Sequence, residues 1–277
     1  MQVTRTLPTR TRRMVGAWCF LDAYGPAPAQ MSVAPHPHTG LQTVSWLLAG
    51  RIRHQDSLGN DIVVAPGQLN LMTAGAAISH AETSVDASAA LHGVQLWVAL
   101  PEADRHRPPD FAHHGDLPVF TDGPLTATVI MGELAGRSSP ARTFSPLVGA
   151  ELTLAPGQTA IPLDPHFEYA ALLLDGQPTV AGVTPAPGTL LYLGTGRTEL
   201  TLAAPGPARL LLLGGEPFAE QLLMWWNFVA RSHDEIVDQR EAWEHTDRFG
   251  TVPGWDGVRL PAPALPGVRL RPRGRIG

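Results

Sequence analysis

Apolar residues recur in short runs rather than at helical spacing. Residues 43–48 (TVSWLL) form a strand-like run that ends in Ala49-Gly50, and residues 51–55 follow it. Asp56-Ser57-Leu58-Gly59-Asn60-Asp61 is a turn signal, after which the pattern resumes at 62–64. Pro66-Gly67 punctuates again, residues 69–72 continue, and 91–100 (LHGVQLWVAL) is the longest strand candidate of the first half. Short strands about ten residues apart, joined by Gly-rich turns, predict a β-sandwich or barrel. Residues 102–118 are charged, His-rich and broken by Pro, and read as a loop.

The second half repeats the plan of the first. Residues 47–50 (LLAG) match 173–176 (LLDG) at an offset of 126, and 65–69 (APGQL) match 186–190 (APGTL) at an offset of 121. The smaller second offset fits a shorter hairpin at 177–183. Two β-units of similar plan are therefore expected, with a junction near 132–140, giving units at 1–132 and 133–277. The end of the chain differs from both. Residues 224–230 (MWWNFVA) are apolar and aromatic, with Trp225-Trp226 suited to packing the tail on a β-unit. Ser232 with Glu235 three residues later is a capping-box signal, which predicts a helix over about 233–246. Five Pro and five Gly beyond Gly250 predict an extended arm on the surface.

Composition supports the β reading. Gly (28) and Pro (27) make up about a fifth of the 277 residues, which disfavours a helical bundle. The net charge of −5 excludes a generally basic, nucleic-acid-coating protein, so the Arg-rich end (Arg269, Arg271, Arg273, Arg275) reads as a flexible arm. The single cysteine, Cys19, excludes an intrachain disulfide and a thiolate metal cage; flanked by Trp18 and Phe20, it reads as core. Arg5, Arg10, Arg12 and Arg13 are followed by no signal-peptide apolar core, and no apolar run reaches membrane-spanning length, so a cytoplasmic protein without a membrane partner is expected.

Candidate chemistry concentrates in two pairs, His36-Pro37-His38 and His80-Ala81-Glu82. On a strand, side chains at i and i+2 face the same way, so each pair can project two donors to one side. If both pairs face a barrel interior, three imidazoles and one carboxylate converge. Such nitrogen and oxygen ligands suit Fe, Mn, Ni or Cu better than Ca or Mg, and four of them leave two positions of an octahedral ion open. The alternative is a pair of surface His-x-His and His-x-Glu motifs that hold no ion, which spacing alone does not exclude. Gly40 after the first pair and residues 75–79 (GAAIS) before the second place the polar groups among small and apolar neighbours.

The ordered stretches PHPHTGLQTVSWLLAGRIRHQDSLGN, PGQLNLMTAGAAISHAE and LHGVQLWVALP resemble the pirin family of the cupin superfamily, and GGEPFAEQLLMWWNFVARSHDEI resembles the C-terminal signature of bacterial pirins. The resemblance covers residues 10–249. It implies an all-β bicupin, two jelly-roll (double-stranded β-helix) barrels in one chain with a C-terminal helix and arm. It implies one divalent transition metal in the N-terminal barrel, Fe(II) first, with Mn, Ni, Cu or Zn as alternatives, held by His36, His38, His80 and Glu82. Two functions follow from it. One is a quercetin 2,3-dioxygenase that cleaves flavonol-type phenolics with O₂, with Glu82 as both ligand and general base. The other is a non-enzymatic regulator whose metal oxidation state tunes affinity for a protein partner.

The second barrel is expected to lack metal. At the two offsets His36 and His38 fall on Pro162 and Asp164, and His80 and Glu82 fall on Thr201 and Ala203. His166-Phe167-Glu168 has the i, i+2 form but no companion His, and reads as a rim hydrogen bond. His54, two residues before Asp56, reads as a turn hydrogen-bonder rather than a ligand. His92 reads as a buried, satisfied His. No Walker loop, HEXXH or GxSxG motif is present.

Overall fold

The computed structural model describes residues 2–276. The first unit is a six-stranded sheet in the order Val3–Leu7, Trp18–Pro28, Ala90–Ala99, Leu41–Ala49, Leu69–Thr73, Asp110–His114. It faces a four-stranded sheet in the order Ser32–His38, Ile78–Ser84, Ile52–Asp56, Asp61–Val64. The second unit repeats this topology. Leu147–Leu154, Ala208–Gly215, Glu168–Asp175 and Leu190–Gly194 are neighbours in the same sense as Trp18–Pro28, Ala90–Ala99, Leu41–Ala49 and Leu69–Thr73. Gly157–Pro162, Glu199–Ala204 and Thr179–Val180 form its smaller sheet.

Val119–Asp122 and Leu125–Leu134 also hydrogen-bond into the larger sheet of the second unit. The first of these strands precedes the junction expected at 132/133 and the second runs across it, and on their pairing we propose that the C-terminal unit begins near Val119. The segment expected to be a loop contains a strand, because Asp110–His114 pairs antiparallel with Leu69–Thr73. Pro108-Pro109 hides it from pattern reading by breaking the run just before it.

The two large sheets pack face to face, which explains why their central strands read as continuous apolar runs. Leu41–Ala49 and Ala208–Gly215 are buried on both faces. One core cluster joins Trp18, Val44, Trp46 and Leu96 of the first unit to Met131, Leu147, Leu172 and Leu213 of the second. Trp18 pins the contact by donating its indole N–H to the carbonyls of Val148 (3.1 Å) and Gly214 (3.2 Å). Gly149 permits that approach, since a Cβ there would meet the Trp18 ring at 2.8 Å.

The tail covers the first unit. The hairpin Leu223–Trp225/Phe228–Ala230 leads into the helix His233–His245, whose N-cap Ser232 accepts from Glu235 N–H at 3.2 Å. The Glu235 carboxylate reaches Arg231 N–H (3.2 Å) rather than the cap residue, so the capping box is displaced by one position. Trp225 and Trp226 pack beside Phe228, Trp243 and Phe249. The Arg-rich end, expected to be flexible, is docked: Leu260 N–H donates to Pro35 (2.8 Å), Leu222 and Arg273 exchange backbone bonds, and Arg275 pairs with the buried Glu168. No described helix is long and apolar enough to cross a membrane.

Candidate metal centre

Both two-residue pairs lie on neighbouring strands of the four-stranded sheet. Ser32–His38 and Ile78–Ser84 are antiparallel, with His36 opposite His80 and Val33 opposite Glu82. Ile78, on the same face as His80, belongs to the core, so this face looks inward. Gly40 stands two residues past the first strand at φ +69°, and a Cβ there would lie 2.1 Å from the Val229 carbonyl oxygen. Only Gly lets the chain turn two residues after His38 while the C-terminal hairpin sits against it, with Val229 N–H donating to Thr39 at 3.0 Å.

His36, His38 and His80 are buried, and their ring centroids are 4.3–5.0 Å apart. One nitrogen from each falls within 4.8 Å of the others. His38 Nε2 and His80 Nε2 are 3.1 Å apart. Two nitrogens about 2.1 Å from one ion and at right angles around it would be separated by about 3 Å, so this spacing fits a shared transition metal. His36 Nδ1 donates to the Ala34 carbonyl at 3.0 Å, which leaves Nε2 for an ion. Burial, with the neighbouring imidazoles, holds His38 and His80 well below the ordinary histidine range. Burial likewise brings His36 down to about 4, against the pull of Ala34 and with the help of His54. At neutral pH the three rings are therefore uncharged and carry lone pairs, as metal ligands must. His38 Nδ1 is buried without a hydrogen-bond partner.

Glu82 is the most open of the four predicted ligands, half-buried where the imidazoles are buried. Burial raises its carboxyl above the usual range, opposed by His54 and by the Ser45 hydroxyl, which donates to Oε1 at 3.4 Å. The same single proton is shared with Gln95 Oε1, the closer acceptor at 2.9 Å, so Glu82 sits against the Ser45–Gln95 pair of the facing sheet.

His54 was the residue that spacing under-read. It makes the expected bond to Asp56 (Nε2 to Oδ2, 3.1 Å), yet it is 2 % exposed and stands inside the cluster. Its Nδ1 is 3.3 Å from His80 Nδ1, and one atom each of His54, His80 and Glu82 also falls within 4.8 Å of the others. Its ring stacks on Phe111 at 4.6 Å, from the strand that the sequence concealed. The available signal was parity: His54 follows Ile52 on a strand that pairs with Ile78–Ser84, and both side chains point inward.

The ladder of the second unit shows what fills the same places there. Ile161 lies opposite Leu200 as His36 lies opposite His80, and Val180 lies opposite Leu202 as His54 lies opposite Glu82. Ile161, Leu163, Leu200, Leu202 and Val180 are all buried in one aliphatic cluster. The residues that fixed offsets selected, Pro162, Asp164, Thr201 and Ala203, are one position out of register and face away from this core. The offsets came from other hairpins and do not carry across turns of different length.

Other candidates lie elsewhere. His166 is exposed and bonds Asp164 at the rim (2.9 Å), while Glu168 is fully buried and accepts from Gly16 N–H (2.8 Å) and Tyr192 (2.7 Å). His92 is partly exposed beside Arg209 and Asp175, not buried as expected. Cys19 is core, and burial pushes its thiol up to about 12. A cleft of about 210 Å³ lined by Pro35, Ser79, Trp243 and Trp255 lies behind the ligand-bearing strands, on their outer side.

Comparison with known proteins agrees with this architecture. The Pirin family model matches residues 1–98, and the Pirin C-terminal cupin domain matches 149–250. A Pseudomonas aeruginosa protein, named provisionally as a quercetin 2,3-dioxygenase, is 48 % identical over 270 residues, covering 95 % of this chain and 86 % of its own. A Caulobacter vibrioides pirin-like protein is 36 % identical over 255 residues, 88 % of each chain. The crystal structure of a quercetin 2,3-dioxygenase from Acinetobacter baumannii superposes with a TM-score of 0.92 at 44 % identity, covering 97 % of this chain and 92 % of that one. A bacterial pirin from Escherichia coli, solved in complex with nickel(II), shares the fold at a TM-score of 0.64 and 19 % identity, over 78 % of this chain and 91 % of that one. With two cupin-type units in the same order, and this degree of identity along nearly its whole length, the chain belongs to the pirin family.

Proposed function

We propose that the protein is a metal-dependent dioxygenase of flavonol-type phenolics, with one divalent transition metal, Fe(II) first, held by His36, His38, His80 and Glu82. The observation that carries this is the convergence of three buried, uncharged imidazoles on one point beside a half-open carboxylate. The names of its relatives at 44–48 % identity support the reaction class. When bound, the metal supplies Lewis acidity toward a phenolic oxygen and a site for O₂.

The chain's own contribution is positional. The imidazoles are set by the backbone of two adjacent strands, so their arrangement precedes ligand binding. Glu82, the member nearest solvent, is placed to accept the phenolic proton on a carboxylate oxygen, with the Ser45 hydroxyl 3.4 Å from Oε1. Trp97, edge-on to His38 at 5.3 Å, and Phe111 close the inner wall of the site with apolar surface.

The test is elemental analysis of the purified protein followed by O₂ uptake with quercetin. One metal ion per chain and metal-dependent O₂ consumption are expected. Glu82→Gln, with rates normalised to bound metal, should lose about 10²–10⁴-fold in turnover. Fully metallated protein that turns over no flavonol would overturn the enzymatic reading.

A further inference from the structure

Two hydrogen-bonded groups behind the proposed ligand His80, namely Asp56 and His54, form a chain that no ligand assignment uses. Asp56 is fully buried, and its carboxylate is saturated by N–H donors from the turn that follows it. Leu58 N–H (2.9 Å), Asn60 N–H (3.1 Å) and the Asn60 amide (3.1 Å) reach Oδ1, and the same amide reaches Oδ2 at 2.9 Å. A carboxylate so held has accepting capacity only, so the His54 nitrogen at 3.1 Å from Oδ2 must donate. A hydrogen bond between His54 Nδ1 and His80 Nδ1, 3.3 Å apart, holds one proton, and ligation of an ion through His80 Nε2 requires that this proton sit on His80 with His54 Nδ1 accepting. His80 must therefore carry its proton on Nδ1, which leaves its Nε2 lone pair directed at the point shared with His38.

Each end of the chain is rigid. Stacking of His54 on Phe111, 18° from parallel, fixes the ring plane, and the Asp56 turn fixes the carboxylate. His36 has a simpler arrangement with the Ala34 carbonyl, and His38 has only the Asn227 backbone near it and no carboxylate. His80 is thus the one imidazole of the three with a carboxylate-backed hydrogen bond behind it.

We propose that Asp56 and His54 are positioning residues that lock the tautomer and orientation of His80 and strengthen it as a metal ligand. This rests on the ligand set proposed above. A carboxylate acting through an imidazole raises the electron density of the ligand beyond it, and loss of such an outer partner typically costs 10–100-fold in metal affinity.

The probe is Co(II), titrated into metal-free full-length protein against a competing chelator, with the visible ligand-field bands recorded. His54→Phe keeps a flat ring for Phe111 but cannot accept a hydrogen bond. It should bind Co(II) 10–100-fold more weakly with ligand-field bands like those of wild type. His54→Gln restores an acceptor and should recover part of the loss, and Asp56→Asn should lose less than His54→Phe. If His54→Phe does not fold, judged by its thermal transition, the Gln and Asn variants decide the matter by the same titration. Affinities within twofold of wild type in all folded variants would overturn the proposal. Altered bands in His54→Phe would overturn it differently, by making His54 a ligand together with His80 and Glu82. His36→Ala separates this from the parent reading: unchanged Co(II) binding there removes the ligand set itself, whereas lost binding there with unchanged binding in His54→Phe removes only the positioning role.

Discussion

The two units share one topology but differ in what their smaller sheets turn inward. In the C-terminal unit, Ile161, Leu163, Leu200, Leu202 and Val180 form an aliphatic cluster, and each buried side chain of this kind contributes about 1.5–3 kcal/mol. In the N-terminal unit the matching ladder positions carry His36, His38, His80, Glu82 and His54. That unit gives up aliphatic burial at five places and gains a set of convergent donors. It is also the unit that the tail covers: Ser79 donates to Phe249 at 3.0 Å across the outer face of the sheet, whereas Pro162 and Thr201 of the second unit lie open. Aliphatic packing and donor side chains are thus divided between two copies of one design.

Exchanging residue types across the comparison has the largest expected effect. Leu200→Glu places a carboxylate with no partner in the aliphatic cluster and should cost on the order of 4 kcal/mol, read from the denaturant midpoint. The reverse exchange, His80→Leu, should leave the metal-free protein as stable as before or more so, while metal content falls from one ion per chain to near zero. Strong destabilisation of metal-free His80→Leu would show that the polar cluster holds the fold together, contrary to the division drawn here.

Acid should act on one unit and spare the other. His36 has a folded-state value of about 4, below the ordinary histidine value of 6.5. The unfolded chain therefore takes up a proton first, and stability falls as pH drops from 6.5 toward 4. The slope is roughly 1.4 kcal/mol per pH unit for that group, with His38 and His80 adding in the same direction. Amide-exchange protection of the metal-free protein, referred to the intrinsic exchange rate at each pH, should fall across 32–84 in this window and change little across 157–204. Equal loss of protection in both would contradict the contrast.

A smaller effect is expected at the seam between the strand that carries the proposed ligands His36 and His38 and the tail. Gly40→Ala forces a Cβ against the Val229 carbonyl at φ +69° and should cost about 1–3 kcal/mol. Metal affinity should fall with it, because Gly40 stands only two residues after His38. A variant with unchanged melting temperature and affinity would mean that the hairpin yields freely.

Much of this was legible in the sequence because it is local. Strand parity puts His36 with His38 and His80 with Glu82, the LL-x-G and APG repeats disclose the duplication, and Ser232 marks the helix start. What was illegible depends on partners distant in the chain. Whether a histidine near a turn points inward depends on its neighbouring strand, so His54 read only as a companion of Asp56. The strand Asp110–His114 is short, follows two prolines and exists through its pairing with Leu69–Thr73. The register of the second unit slipped by one because hairpin motifs report their own alignment and not that of strands beyond the next turn. A slip of one residue is enough to turn an inward leucine into an outward threonine.

The most direct test of the account is an anomalous difference map, recorded at the absorption edge of the bound metal, from crystals of the metal-loaded protein. The account predicts one peak per chain, within coordination distance of His36, His38, His80 and Glu82, and none inside the cluster of Ile161, Leu200 and Leu202. A peak beside His166 or elsewhere in the second unit, or no peak in metal-saturated crystals, would contradict it.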